Sequence, residues 1–347
     1  MGRGLRPPRA TADHSSTGSA REARAETGGA LWRGTMTTLV EHSALAVQVS
    51  GGAALWEPCT AFTLDGLAAD AGDRFEMWGV ARVVAGGWTV LAGTEGCVVP
   101  VGAEHRWEDT LCASLQRGPE AALAGDLRRR RDPEVRAKAE RFGLRAYVGA
   151  PLLQGGRLVG SLCGWSRTPT TDDDALRARV TRNASFLGAT LARELHRVDQ
   201  ERREDWARKP SSRDHLTRLP DRRSWGQLLQ HEDDRGRSLA EPAAVTVVDV
   251  GTVSSTRALR RLAGALRESS GSAGVVARTG ARQFGVLSTS TPEEGPLAVS
   301  ERVLEQLRSA APQARAGSAV RRGQTSLAEV WVAAEGDLLS ARHRATR

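Results

Sequence analysis

The sequence predicts a two-domain protein of the α+β or α/β class, its halves joined by one long helix. Three observations carry that expectation. Two apolar stretches are each broken by a Gly-Gly pair, Met77–Gly93 at Gly86-Gly87 and Arg145–Trp165 at Gly155-Gly156, the pattern of β-hairpins. Residues 175–208 hold apolar positions in steps of three and four within a charged background, the pattern of a helix. After Asp214 a fresh alternation of helix and strand patterns begins. A length of 347 residues suits two domains. The divisions expected are a basic tail over 1–35, a first domain over 36–174, a helical linker over 175–212 and a second domain over 213–347.

Hydrophobic residues make up 40% and charged residues 26%, an ordinary soluble balance able to bury cores. No apolar run reaches membrane-spanning length, and the N-terminus has no apolar signal region. Cys59, Cys97, Cys112 and Cys163 lack C-x-x-C spacing and read as reduced thiols, so a cytoplasmic protein is expected, with no membrane partner. The net charge is +8, but only Lys138 and Lys209 are lysines, and the arginines are interleaved with acids. Charge so distributed, without a reading motif, argues against a nucleic-acid partner.

Taken in order, residues 1–35 are rich in Gly, Ser, Thr, Pro and Arg, and burial there cannot offset the entropy of ordering; they read as disordered. Met36 is an alternative start to Met1. Residues 37–68 read as one or two helices anchored by Leu39, Leu45 and Val47. Met77–Val84 and Trp88–Gly93 form the first hairpin, and Cys97–Gly102 reads as another short strand. Residues 108–118 suit a helix begun near Asp109 or Thr110. Pro133 in the first turn and Gly143 past the end bound a helix over 133–143. Arg145–Trp165 supplies two strands apolar enough for a sheet interior.

The run from Tyr147 to Cys163, Y-V-G-A-P-L-L-x-G-G-R-L-V-G-S-L-C, resembles the central hairpin of GAF domains. His105–Cys112 and Gly118–Asp126 resemble a GAF subclass that often precedes GGDEF modules. The resemblance spans about Ala69 to Leu195. It implies an antiparallel sheet with helices on both sides and a pocket for an unknown small ligand on one face. Trp78, Trp107, Cys112, Tyr147, Cys163 and Trp165 are the candidates to line it, core packing being the alternative for the tryptophans. Cys112 and Cys163 lie in apolar runs and read as small buried hydrophobes rather than redox or attachment sites. His105 has no partner at metal-ligand spacing.

Along 175–208 the apolar stripe is Val180, Ala184, Leu187, Leu191, Leu195 and Val198. Its narrow spacing predicts a homodimeric coiled coil through 176–198; packing on the helix's own domain is the alternative. Beyond Val198 the run DQERREDWARK reads as solvated.

The joint to the second half is Asp214–Arg223, DHLTRLPDRR. Asp214 can accept backbone N–H bonds of a turn. Pro220 keeps a preceding helix from running through, and Arg222 and Arg223 open the next one. The string resembles D-x-L-T-G-L-x-N-R-R at the start of GGDEF domains, the diguanylate cyclase family. Asp214, Leu216, Thr217, Leu219, Arg222 and Arg223 match; Arg218 replaces the glycine and Asp221 the asparagine. There follow an expected helix over Arg222–Gln230, a buried strand over Ala243–Val250, an amphipathic helix over 256–268, a hairpin of Gly274–Thr279 and Gln283–Thr289 about Gly280, a helix over Ser300–Ala310, a weak strand over 314–323 and a helical end over 326–344. A truncated GGDEF-like, nucleotidyl cyclase-like α/β domain is the expectation.

A diguanylate cyclase of this family aligns two GTP molecules with divalent ions held by carboxylates, which neutralise charge developing on the phosphates. The resemblance matches Asp249 to the first metal-binding aspartate. It aligns the signature turn with Gly280, Ala281, Arg282, Gln283 and Phe284, where the central acids are absent. Arginine and amide offer Mg²⁺ no carboxylate. The nucleotide-contacting segment after Asp249 is too short, and the R-x-x-D product-inhibition motif is missing from Gly271–Gly274. The expectation is a regulatory protein whose GAF sensor is coupled to an inactive GGDEF-like output acting by protein or nucleotide binding, with no assured cofactor. The alternative is a divergent diguanylate cyclase using GTP and Mg²⁺.

Overall fold

The computed structural model describes residues 55–208, 212–252, 255–290, 294–322 and 325–345. The expectations for 1–35, for Met36, and for the helix anchored by Leu39, Leu45 and Val47 lie outside the described residues.

Helix α1 (Trp56–Ala71) leads into a six-stranded sheet of β1 (Met77–Val84), β2 (Gly87–Gly93), β3 (Glu104–Arg106), β4 (Ala122–Ala124), β5 (Ala146–Gln154) and β6 (Arg157–Ser166). The strand order is β3-β2-β1-β6-β5-β4, and every neighbouring pair is antiparallel. Side chains alternate across a strand, so each strand feeds two cores. On one face Trp78, Val80, Val148, Leu152 and Leu162 pack under α1 and the long helix α4 (Asp174–Ala207). On the other, Met77, Trp88, Tyr147, Cys163 and Trp165 pack under α2 (Leu111–Leu115) and α3 (Pro133–Arg141). Thr110 and Asp132 cap α2 and α3, each accepting a backbone N–H, and Pro133 sits in the first turn of α3, where its missing N–H costs nothing.

Three readings of the first half change. Cys97–Gly102 is a turn rather than a strand: Pro100 has no N–H for a ladder, and its carbonyl instead closes a turn to Ala103 N at 3.1 Å. The helix expected over 108–118 shrinks to α2. The edge strands β3 and β4 have no counterpart in the sequence reading, since three residues are too short to signal one.

The linker reading changes more. The stripe on α4 is not a free dimer seam. Val180, Ala184, Leu187, Leu191 and Val198 are buried against the helix's own sheet, with Leu195 partly so. A coiled-coil spacing and a helix lying on a sheet both need one narrow apolar row, so spacing alone cannot separate them. The charged run beyond Val198 is not uniformly solvated either, because Arg202 is only 4% exposed.

The second sheet comprises β7 (Ala243–Asp249), β8 (Gly274–Arg278), β9 (Gln283–Thr289) and β10 (Arg315–Val320), in the order β10-β7-β9-β8 and antiparallel throughout. Its faces are covered by α5 (Arg222–Gly236) and α8 (Leu327–Ala345) on one side, α6 (Thr256–Ser270) and α7 (Pro296–Ala310) on the other. Helix α5 runs past Gln230 because Glu232 and Asp233, polar in sequence, are buried in ion pairs. Gly317 lets α8 lie directly on β10: a Cβ there would stand 2.1 Å from Leu338 N and 2.3 Å from Ala334 O.

Both sheets belong to one compact unit, Ser50–Arg347, each sheet with its own cores. Among the described residues no helix is long and apolar enough to cross a membrane.

Candidate functional site

The joint and the signature turn form one constellation. Asp214 Oδ1 accepts from Thr217 N and Thr217 Oγ1, both at 2.7 Å, closing the turn that the sequence places there. Asp214 Oδ2 pairs with Arg278 Nη1 at 2.7 Å. Arg278 also donates from Nη2 to Ala281 O at 2.7 Å, and from its backbone to Pro220 O at 2.8 Å. The joint is thereby stitched to the β8–β9 hairpin. Burial works to raise the Asp214 pKa, but hydrogen bonds from Thr217 and Arg278 outweigh it and hold the carboxyl below its usual range.

Leu219 is buried and Leu216 partly buried in the core beneath α6, and Arg260 on α6 donates to Leu216 O at 2.9 Å. Asp221 takes the N-cap role, accepting from Arg223 N and Ser224 N at 3.0 Å each. Arg222 lies over the Trp331 ring, 5.6 Å from its centroid, rather than on a carboxylate. Arg218, standing where the resemblance has glycine, adopts φ 62°, the left-handed conformation that explains a glycine preference.

Asp249 ends β7 in register with Gln283 on β9 and Arg315 on β10. Its Oδ1 accepts from Gly251 N at 2.8 Å, and its Oδ2 is paired with Arg342 of α8. Gly280 closes the hairpin, with Thr279 N and Gly280 N both donating to Gln283 O at 3.0 and 3.2 Å. Arg282 is exposed, its carbonyl accepting from Val250 N at 3.0 Å, and Phe284 is fully buried in the core below. Ala281 and Arg282 form the tip of this hairpin, and Asp249, in register with Gln283, already carries a guanidinium. Among the described residues no three His, Cys, Asp or Glu side chains are grouped to hold a metal ion.

Of the six expected pocket residues, four come together. Cys112, Tyr147, Cys163 and Trp165 share the α2–α3 face. Trp78 is on the opposite face, its Nε1 donating to Phe75 O at 3.2 Å, because it is one residue out of phase with Met77, the strand partner of Trp165. Trp107 is only partly buried, at the rim. The space under Trp165 is nearly filled: a crevice of about 30 Å³ remains beside Trp88, His105, Cys112, Phe142 and Trp165.

Sequence reading named Trp88 only as a tryptophan that could line the pocket, and missed Ser161 and a larger ion network. Ser161 and Trp88 complete a buried cluster with the thiols, Trp88 Nε1 donating to Ser161 Oγ at 2.9 Å. Between the two sheets lies a buried ion network. Arg202 of α4 pairs with Glu232 of α5 at 2.6 Å, Arg82 of β1 with Glu241 at 3.0 Å, and Arg321 with Asp233 at 2.8 Å. An arginine inside the apolar strand MWGVARVV was the available signal. A cleft of about 860 Å³ opens alongside, between Arg157 and Val159 of the first sheet and Thr289 of the second.

No family model matches the chain, and no curated protein does. Solved structures similar to it include the FimX GGDEF domain from Pseudomonas aeruginosa, 20% identical over 39% of this chain and 95% of that one, with TM-score 0.33. The diguanylate cyclase SiaD with its activator SiaC, from the same organism, is 23% identical over 49% and 73%, TM-score 0.35. Free methionine-R-sulfoxide reductase from Neisseria meningitidis with its substrate is 17% identical over 47% and 89%, TM-score 0.33. At these scores none of the likenesses bears on function, which is read from the chain's own residues.

Proposed function

We propose that the chain is a regulatory protein in which a GAF-type sensor half is coupled, through α4 and the ion network, to a GGDEF-like half that acts by binding a protein or nucleotide rather than by making cyclic di-GMP. The observation that carries this is the state of Asp249. The one residue matched to a metal-binding aspartate is paired with Arg342 and hydrogen-bonded to Gly251 N, while arginine and glutamine occupy the turn beside it. Two Mg²⁺ ions need several hard oxygen ligands, and losing them removes charge stabilisation worth several kcal/mol in a phosphoryl-transfer transition state. The coupling is supported by Arg82 and Arg202, which tie β1 and α4 to Glu241 and Glu232 of the second half.

The test is incubation of the purified chain with GTP and Mg²⁺ or Mn²⁺. No cyclic di-GMP above a protein-free control is expected; its accumulation would establish the divergent cyclase instead. Calorimetric titration with GTP and with cyclic di-GMP then separates a nucleotide receptor, which gives heat, from a purely protein-binding output.

A further inference from the structure

The first half buries two thiols against each other in a way its core does not require. Cys112 on α2 and Cys163 on β6 are 1% and 0% exposed, and their sulfurs stand 2.7 Å apart. That is inside the usual contact distance of two non-bonded sulfurs, with no other residue between them. The pair is also embedded in an unusual polar setting for an apolar core. Trp88 Nε1 donates to Ser161 Oγ, Ser161 Oγ donates to Cys112 Sγ at 3.8 Å, and Cys163 Sγ reaches Ser161 Oγ at 3.5 Å. Tyr147, the chain's one tyrosine, places its hydroxyl 3.6 Å from Cys163 Sγ. It does so by lying along its own strand over Gly149, the register partner of Cys163, where a Cβ would sit 2.2 Å from the hydroxyl oxygen. Ser161 thus donates to the Cys112 sulfur, and Cys112 lines the small crevice under Trp165.

We infer that Cys112 and Cys163 form an oxidant-responsive dithiol that a small hydroperoxide converts to an intramolecular disulfide joining α2 to β6. With hydrogen peroxide, the Cys112 sulfur attacks one peroxide oxygen; the O–O bond breaks, and the leaving hydroxide takes the Cys112 thiol proton to become water. The Cys163 sulfur then displaces the hydroxyl group from Cys112. The S–S bond forms, the S–O bond breaks, and the hydroxide leaves with the Cys163 proton as a second water. Two thiols and one hydrogen peroxide give one disulfide and two waters. The charge distribution agrees with these roles. Burial pushes both thiols up, but at Cys112 hydrogen bonds from Cys163, Tyr147 and Ser161 outweigh it and lower the pKa, whereas the Cys163 thiol stays well raised. Both sulfurs are buried, so the selectivity expected is for small oxidants over a bulky disulfide such as oxidised glutathione. This holds whether or not the second half is a catalyst.

The experiment treats the reduced, folded full chain with hydrogen peroxide, blocks remaining thiols under denaturing conditions and maps tryptic peptides. The expected product is a crosslink of WEDTLCASLQR, holding Cys112, to LVGSLCGWSR, holding Cys163, with a loss of two hydrogens and a fall from four to two blockable thiols. Cys163→Ser should stop at a Cys112 sulfenic acid trapped by dimedone. Oxidation of Cys59 or Cys97 in the folded wild-type chain without that crosslink would overturn the inference. So would a crosslink that forms as fast in the urea-unfolded chain, since folding would then confer nothing.

Discussion

Replacing Arg202 with leucine tests whether the ion network holds the two sheets together. Arg202 is 4% exposed, and its partner Glu232 is wholly buried. With the guanidinium gone, the nearest cation left to Glu232 is Arg235, its Nε at 3.7 Å from Oε2. At an effective dielectric near 20, a pair of charges about 4 Å apart is worth roughly 4 kcal/mol, so Arg235 replaces part of the lost attraction. Breaking one side of a buried pair costs about 3–5 kcal/mol, and the loss here should fall at the lower end, because the Glu232 charge is left an orphan but for Arg235. The double variant Arg202→Leu/Glu232→Leu removes that orphan and should recover to within about 1–2 kcal/mol of wild type. Thermal unfolding followed by both near-UV and far-UV circular dichroism reads the difference. The single variant should melt lower by roughly ten degrees, and the double variant should regain most of that. A double variant no more stable than the Arg202→Leu single, the two losses simply adding, would refute the reasoning.

Further outcomes follow from the joint and the second sheet. Arg218→Gly should stabilise the chain by up to about 1 kcal/mol in urea unfolding, since a glycine adopts φ 62° without Cβ strain and Arg213 bonds only the carbonyl there. The pKa of Asp214 is lower folded than unfolded, so its contribution is present above the unfolded value of about 3.9 and lost as pH falls through the folded one. Wild-type stability should therefore drop more steeply in that acid range than that of Asp214→Asn, measured by denaturant titration at a series of pH values. Gly317→Ala should cost about 1–3 kcal/mol, because its methyl group would meet the backbone of α8; an unchanged unfolding midpoint would show that α8 does not rest on β10 there.

Local chemistry alone was enough for much of the chain. Alternation and Gly-Gly pairs located both hairpins of the first sheet. Pro133 and Gly143 bounded α3, and Asp214 marked the turn that its own side chain closes. Arg218 stood out as a departure from the glycine of the resemblance, though its left-handed conformation was not foreseen. These features are legible because a cap, a turn or a strand phase is decided within a few residues.

Only the tertiary structure decided what the long-range partners are. The α4 stripe looked like a dimer seam and proved to be a floor contact with its own sheet, since one row of apolar residues fits either neighbour. Trp78 and Trp165 were read into one pocket, but inter-strand register puts them on opposite faces. Arg202 looked solvated because charged runs usually are; its burial became possible only when it met Glu232 from elsewhere in the chain. Cys112 and Cys163 are far apart in sequence and in contact in space, and no spacing rule joins residues whose meeting depends on how a helix is laid across a sheet.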